Sequence, residues 1–268
     1  MTASSLPLSS LFTLGSRRAR FVVERNILVY RHGWIVILSG FFEPLFYLGS
    51  IGFGLGALVG TVNGPGGQPI PYQLFVAPAL LASAAMNGAI AEGTFNFFFK
   101  LRYNKTFDSI LSTPLSPGDV AVGELVWALI RGGIYAIAFI VVMAVLGLIV
   151  SPWVIVAIPG ALLIGFAFGA IGMAATSFMR TWQDFDLIQL VILPLFLFSG
   201  TFYPLDAYPE AIRVVVQLTP LYQGVDLLRS LVIGHLEWSL LIHAVYLMIM
   251  GIIGLLIVEK RLDKLLLK

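Results

Sequence analysis

Two long stretches without a charged residue constrain this chain more than any other feature. Asp, Glu, Lys and Arg are absent from Pro44–Ala91 and again from Gly132–Met179, 48 residues in each case. One straight helix of that length would extend about 72 Å, more than twice the ~30 Å hydrocarbon core of a bilayer. Each stretch must therefore turn back once, and the helix-breaking residues at 63–69 and Ser151-Pro152 mark the turns.

These turns give four apolar helices, and two shorter uncharged runs add two more, so that six helices are each long enough to cross a membrane. The predicted spans are 34–59, 72–98, 120–149, 153–178, Leu187–Leu205 and Trp238–Val258. A transmembrane β-barrel is excluded because its strands alternate between polar and apolar residues, whereas these segments are continuously apolar. The sequence therefore predicts an all-α integral membrane protein, with residues 1–268 forming one domain.

The overall composition excludes several classes of protein. Apolar residues make up 59% of the chain and charged residues only 11%, against about 45–50% and about 25% in a soluble domain. The formal net charge of +2 is too small for a protein that neutralises nucleic-acid phosphates. The chain has no cysteine, which excludes disulfides, thiolate metal sites and cysteine nucleophiles.

The distribution of Lys and Arg between loops predicts the orientation in the membrane. Thirteen of these residues fall in the N-terminal segment, the loop at 99–118, the loop at Arg180 and the C-terminal tail, whereas the opposite loops contain only Arg213 and Arg229. Cytoplasmic loops retain positive charge. We therefore predict a multi-pass protein of the plasma membrane with both termini in the cytoplasm.

Two segments outside the spans are predicted to lie at the membrane surfaces. Residues 8–31 interleave Phe12, Leu14 and Phe21 with five arginines, a pattern typical of an amphipathic helix in the inner leaflet. Residues 205–237 are long for an external loop, and their apolar spacing predicts short re-entrant helices in the outer leaflet. Irregular backbone at that depth must be packed in protein or line a cavity.

Motifs for catalysis are nearly absent from the sequence. It contains no GxxxxGK[ST] phosphate loop, so ATP hydrolysis by that route would require a partner. Asp184 and Asp186 form a D-x-D pair, which some glycosyltransferases use to hold a divalent metal and a sugar nucleotide. A solvated loop beside Arg180 is the alternative explanation. A lipid glycosyltransferase and an ATP-independent scramblase both remain as alternative functions.

Four ionisable residues fall within or at the ends of predicted spans and are candidates for a polar path or seam. They are Glu43, Glu92, Glu124 and Arg131. A charge inside a membrane is costly, so such groups usually face a partner charge, water or the interior of the bundle. Glu124 and Arg131 are two turns apart on one helix face. Anchoring at the membrane interface is the alternative role.

The loop at 99–119 contains a candidate surface for a protein partner. Residues 106–113 are predicted to form a short helix that ends before Pro114. One side is polar, with Thr106, Ser109 and Thr113, and the other is apolar, with Phe107, Ile110 and Leu111. The apolar side suits insertion into a groove of a partner.

Two stretches of the sequence resemble a known family. TFDSILSTPLSPGDVAVGE at 106–124 is similar to the coupling-helix region of type-2 ABC exporter permeases, the transmembrane subunits of these transporters. FSGTFYPL at 198–205, continued to Arg229, is similar to their signature between spans five and six. Glu43-Pro44-Leu45 and the chain length most resemble the branch of nodulation lipo-oligosaccharide and daunorubicin-resistance exporters.

The resemblance implies the transmembrane subunit of an ATP-driven exporter for an amphipathic, lipid-linked or hydrophobic substrate. It implies a second permease copy and a separate nucleotide-binding ATPase subunit that carries ATP and Mg, with no cofactor or catalytic residue in this chain. The coupling residues it implies are Thr106, Phe107, Asp108, Ile110, Leu111, Thr113, Pro114, Leu115 and Asp119. The external signature comprises Ser199, Gly200, Pro204, Pro209, Pro220, Asp226 and Arg229.

Overall fold

The computed structural model describes residues 8–31, 42 and 44–266, with side chains from residue 18 onward. The helices are α1 (Leu8–Tyr30), α2 (Pro44–Val59), α3 (Tyr72–Tyr103), α4 (Thr106–Leu111), α5 (Pro117–Val145), α6 (Val154–Phe178), α7 (Asp184–Leu197), α8 (Glu210–Leu218), α9 (Pro220–Ile233) and α10 (Ser239–Leu266). An antiparallel hairpin of β1 (Thr61–Asn63) and β2 (Pro69–Pro71) connects α2 to α3.

Four of these helices are long and apolar enough to cross a membrane. They are α3, α5, α6 and α10, and they fall on four of the six predicted spans. The first predicted span is represented by α2, which has an apolar sequence but is shorter. Apart from Phe42, the remainder of that span, including Glu43, lies outside the described residues.

The fifth predicted span is shorter in the structure than the sequence suggests. Helix α7 has 14 residues and ends at Leu197, so it extends about 21 Å. The backbone then continues without regular structure through Ser199 and Gly200, whose φ is 69°. The prediction of a single helix over Leu187–Leu205 is therefore wrong beyond Leu197, because a left-handed glycine cannot continue the helix.

The core of the bundle is formed around α6, which packs against α3, α5, α9 and α10. Small residues allow the closest approaches. A Cβ atom on Gly93 would lie 2.6 Å from the carbonyl oxygen of Gly169, and one on Gly254 would lie 2.8 Å from the backbone of Ala170. Small residues of this kind let helix backbones approach closely in lipid.

The bundle has two halves that differ in content. The half that holds α1, α4 and the last turns of α6 and α10 is called the basic half, and there Arg18 donates to the carbonyl of Pro114 at 2.9 Å. The half that holds β1, β2 and residues 198–237 is called the hairpin half, and there Asn63 donates to Asp206 at 3.3 Å. Helix α9 is largely buried in this second half.

Candidate functional site

The short helix α4 is placed at the surface of the basic half by the chain turn at the end of α3. Lys105, which precedes it, has a left-handed backbone conformation with φ of 46°. Phe107 is fully buried, with its ring centroid 5.0 Å from that of Phe97, and Ile110 packs in the same cluster. The apolar side of α4 thus faces the chain's own core, so the side left for a partner is the polar one.

The polar side of α4 borders a groove against α1. Asp108, Ser109 and Thr113 are exposed, while Leu111 and Leu115 are half-buried. The groove has a volume of about 310 Å³ and is lined by Phe21, Val22, Arg25, Asn104, Thr106, Ser109, Ile110, Thr113 and Leu115. Among the residues whose side chains the structure describes, Arg25 is the one charged residue of this lining, so the groove favours an anionic or polar group over a cation.

Asp119 does not reach this surface. It is buried at the start of α5, where its carboxylate accepts hydrogen bonds from the backbone N–H and the hydroxyl of Ser116 at 2.9 and 2.7 Å. The Ser116 hydroxyl in turn accepts from the backbone N–H of Asp119. This reciprocal pair is a capping box, which satisfies otherwise unpaired donors at a helix start.

Three side chains from three helices meet in a buried cluster, which we call the Asn26 triad: Asn26 of α1, Lys100 of α3 and Glu124 of α5. The Lys100 ammonium donates to Glu124 at 2.5 Å and to Asn26 Oδ1 at 3.2 Å. Asn26 Nδ2 donates to the other oxygen of Glu124 at 3.2 Å. Every pair in the triad is therefore hydrogen-bonded.

A second ion pair lies two turns further along α5. Arg131 pairs with Glu92 of α3, and it also donates to the hydroxyl of Tyr135 at 3.3 Å. Its guanidinium lies 5.1 Å from the ring centroid of Tyr30 on α1. Glu124 and Arg131 thus lie along one face of α5, and each finds its partner charge on α3.

Glu92 and Lys100, the partner charges on α3, both lie in irregular segments of that helix. Glu92–Asn96 and Phe99–Tyr103 are wound as π-helix, a form that is rare and often found at functional sites.

Helix α1 is held against α5 at Gly123, where an added Cβ would lie 2.6 Å from Val22 Cβ. Substitution of that glycine would force the two helices apart.

Arg229 organises the hairpin half. It is buried on α9, and it donates to the backbone carbonyls of Phe75 at 3.1 Å and Gly200 at 2.7 Å. Its guanidinium also lies 3.7 Å from the ring centroid of Phe75. Ser199 is hydrogen-bonded to Thr201 at 2.7 Å. Arg229 thereby fixes the non-helical segment that follows α7.

The other signature residues have separate positions. Pro204 precedes a short 3₁₀ turn, Pro209 precedes α8, and Pro220 is the first residue of α9. Asp226 lies 3.1 Å from the imidazole of His243 on α10, which is also bonded to Gln223. This contact ties α9 to α10.

The D-x-D pair lies at the start of α7. The Asp184 carboxylate accepts hydrogen bonds from the backbone N–H groups of Arg180 at 2.7 Å and Thr181 at 3.0 Å. The bond from Thr181 and that from Arg180 lower the pKa of Asp184. No cluster of three or more potential metal ligands occurs among the residues that the structure describes. The Asp184 carboxylate thus binds the backbone of the loop that precedes α7.

Sequence reasoning missed two members of the Asn26 triad. The charge pattern places Lys100 in a loop, although its position opposite Glu124 at the ends of two antiparallel helices is a signal for a pair. Asn26 had no signal, because a single asparagine in a basic amphipathic helix is unremarkable in composition. Its role depends on a contact across 98 residues of sequence.

The fold and the buried charges define an integral membrane helix bundle. Residues 18–233 match the ABC-2 type transporter family. The chain therefore belongs to this family of transport permeases, and the resemblance to type-2 ABC permeases is confirmed.

Relatives of the chain support the same assignment over most of its length. It is 28% identical to nodulation protein J of Rhizobium leguminosarum bv. viciae over 268 residues, 98% of this chain and 99% of that one. Its identity to nodulation protein J of Rhizobium leguminosarum bv. trifolii is 32% over 216 residues, 80% of each chain. For Bradyrhizobium diazoefficiens nodulation protein J it is 33% over 214 residues, 79% of this chain and 80% of that one.

Proposed function

We propose that this chain is the transmembrane subunit of an ATP-driven exporter, oriented with its basic half in the cytoplasm. The excess of Lys and Arg in that half supports the orientation. Helix α1 then lies along the inner leaflet, and α2 and α7 complete six crossings together with the four longer helices. Residues 205–237, which include the buried α9, dip back into the outer leaflet.

A separate nucleotide-binding subunit, which carries ATP and Mg, docks on α4. The observation that carries this proposal is the polar side of α4, which is exposed beside the groove while its apolar side anchors it to the core of the bundle. A displacement of α4 is therefore transmitted to α3 and α5, because Phe107 and Ile110 of α4 pack in one cluster with residues of α3, α5 and α10.

A second permease copy covers α7. Leu187, Leu190 and Leu193 are exposed on this helix, and among the described residues only Phe185 is buried along it. An apolar helix with this little contact inside its own chain gains packing from another protein. Either an identical or a related permease fits this surface.

The substrate is amphipathic, hydrophobic or lipid-linked. Among the described residues, two charge pairs inside the bundle neutralise each other, Lys100–Glu124 and Arg131–Glu92, and Arg229 is satisfied by backbone carbonyls. The remaining surfaces of the long helices are apolar. These features favour passage of a molecule with a large apolar portion over that of a small ion.

The test is co-purification of an ATPase subunit from detergent-solubilised native membranes. Asp108→Lys reverses a charge on the exposed side of α4 and leaves Phe107 in place, so we expect loss of the ATPase subunit and its activity from the pull-down. Glu210→Lys makes the same charge change on an exposed residue of the hairpin half and should retain the subunit. Absence of an ATPase from the native protein, or equal retention by both variants, contradicts the proposal.

A further inference from the structure

We propose that the Asn26 triad is the positioning link that carries a displacement of α4 to α1 and α5 together. This inference rests on the proposed docking of an ATPase subunit at α4. The triad is the place where α1, α3 and α5 exchange hydrogen bonds with one another, through contacts of 3.2, 3.2 and 2.5 Å. A rigid triangle of bonds makes the three helices move as one body.

The triad lies on a short path from the docking surface. Lys100 is six residues before Thr106, the first residue of α4, and it belongs to the π-helical segment Phe99–Tyr103. From the groove, Arg25 donates to Asn26 Oδ1 at 3.3 Å. The partner surface therefore connects to the triad both along the chain and through a side chain.

Burial makes the triad resistant to separation. Asn26 is 1% exposed and Glu124 is 3% exposed. Pulling Lys100 away from Glu124 would leave a buried carboxylate without its cation, which is strongly unfavourable. The π-helical segment Glu92–Asn96 lies on the side of Lys100 away from α4, so a bend of α3 in that segment lets Lys100 move with α4. The triad then stays closed, and α1 and α5 follow the displacement.

The second ion pair is a matched control within the same molecule. Glu92 and Glu124 side chains are both 4% exposed, and those of Arg131 and Lys100 are 14% and 12% exposed. Both pairs join α3 to α5. The Arg131 pair, however, touches α1 through the ring of Tyr30 without a hydrogen bond, and Glu92 is fourteen residues before α4. The Arg131–Glu92 pair therefore joins α3 to α5, as the triad does, but forms no hydrogen bond with a described residue of α1.

The experiment measures the distance from α1 to a reference helix in the full-length protein with its ATPase subunit. Because the chain has no cysteine, nitroxide labels can be attached at Leu28→Cys on α1 and Ile242→Cys on α10, both exposed. Electron paramagnetic resonance then compares the nucleotide-free complex with the complex trapped by ATP, Mg and vanadate. We expect the distance to change in the otherwise native protein.

Two variants should uncouple α1 from that change. Lys100→Met with Glu124→Leu removes both charges and keeps the apolar volume, and Asn26→Leu cuts α1 from an intact ion pair. Each should reduce the population that shows the nucleotide-dependent distance change by at least about two-fold, the factor that an interaction energy of about 0.5 kcal/mol between contacting residues represents in an equilibrium. Lys100→Glu with Glu124→Lys restores the pair in reverse and should recover the change. Glu92→Leu with Arg131→Met should leave it as in the native protein.

Three results would overturn the inference: a native complex without a distance change, uncoupling variants that change as much as the native protein, or equal loss in the Glu92 and Arg131 control. If the double variant Lys100→Met with Glu124→Leu does not fold, the inference is tested by Asn26→Leu and by Lys100→Glu with Glu124→Lys. Failure of the ATPase subunit to co-purify is scored before nucleotide is added, and it overturns the proposed function and the inference with it.

Discussion

Lys100 and Arg131 in the basic half each face a carboxylate, whereas Arg229 in the hairpin half faces two backbone carbonyl oxygens and a phenyl ring. The first arrangement joins side chains of separate helices. The second joins a side chain to the backbone of α3 at Phe75 and to that of the non-helical segment at Gly200. Both neutralise or satisfy a cation inside an apolar bundle, where an unpaired charge is costly.

This difference indicates which structural property each kind of contact determines: the register between helices or the path of the backbone. Ion pairs set the register between helices, since the acid is on α5 in one pair and on α3 in the other, and sliding one helix would bring like charges together. Carbonyl recognition ties the irregular backbone at Gly200 to α3, because a carbonyl oxygen outside a helix lacks a helical partner. The basic half is thus specified by side-chain chemistry and the hairpin half by backbone conformation.

The largest expected effect comes from breaking a single ion pair. Lys100→Met leaves Glu124 buried without its cation, and we expect a loss of about 3–5 kcal/mol in the free energy of unfolding. Unfolding in detergent, followed by tryptophan fluorescence, measures this. The additional change Glu124→Leu should recover most of the loss, and a double variant as unstable as Lys100→Met would show that the charge is not the cause.

Removal of Arg229 should cost less, because its hydrogen-bond acceptors among the described residues are backbone carbonyls and Asp226 acts on it only through space. Arg229→Met deprives the carbonyl oxygens of Phe75 and Gly200 of a donor, so we expect a loss of about 1–3 kcal/mol. Arg229→Lys should not restore it, since an ammonium lacks the planar fork of guanidinium. Asp226→Asn is the control: if it rescues Arg229→Met in the same unfolding assay, a carboxylate is the true partner and the contrast between the halves fails.

A backbone substitution should matter in the hairpin half in particular. Gly200 has a φ of 69°, and an added Cβ would meet only ordinary contacts with Tyr222 at 3.4 Å. Gly200→Ala is therefore expected to cost about 1–2 kcal/mol through strain. Gly132→Ala, in open space on α5, should cost nothing measurable in the same assay. Equal effects would remove backbone strain as the explanation.

The smallest effect is expected from an exposed charge. Hydrogen bonds from backbone N–H groups lower the pKa of Asp184, so its contribution is present at neutral pH and is lost as the pH falls through that lowered pKa. Asp184→Asn should accelerate hydrogen exchange at Arg180 and Thr181 without changing global stability, and Asp186→Asn should not. Global destabilisation would mean that solvent does not screen this site.

Much of the helical framework could be predicted from the gaps between charges. Helices α3, α5, α6 and α10 fall where uncharged runs predicted them. The end of α7 could not be predicted in this way, because Ser199 and Gly200 carry no charge and the apolar run continues past them. An uncharged run of sequence indicates which residues lie at membrane depth, but it does not indicate whether their backbone is helical.

The candidate site was predictable only at the level of residue types. Glu124 and Arg131 were recognised as intramembrane charges, but their partners depend on which helices become neighbours. The side of α4 that faces a partner was also hidden, since Phe107 and Ile110 suit another protein and the chain's own core equally well. Only the packing of α4 against α3 and α10 decides between these two surfaces.

The length of α7 has a consequence for the lipid around the protein. With 14 residues, the helix is about 9 Å shorter than a typical hydrocarbon core of ~30 Å. Lipids beside such a helix adapt by local thinning, at a cost of fractions of a kcal/mol per Å of mismatch. Oligomerisation is another way to accommodate a short crossing. In the proposed arrangement the second permease copy covers α7, so this helix would meet less lipid and would thin the bilayer less than its length alone indicates.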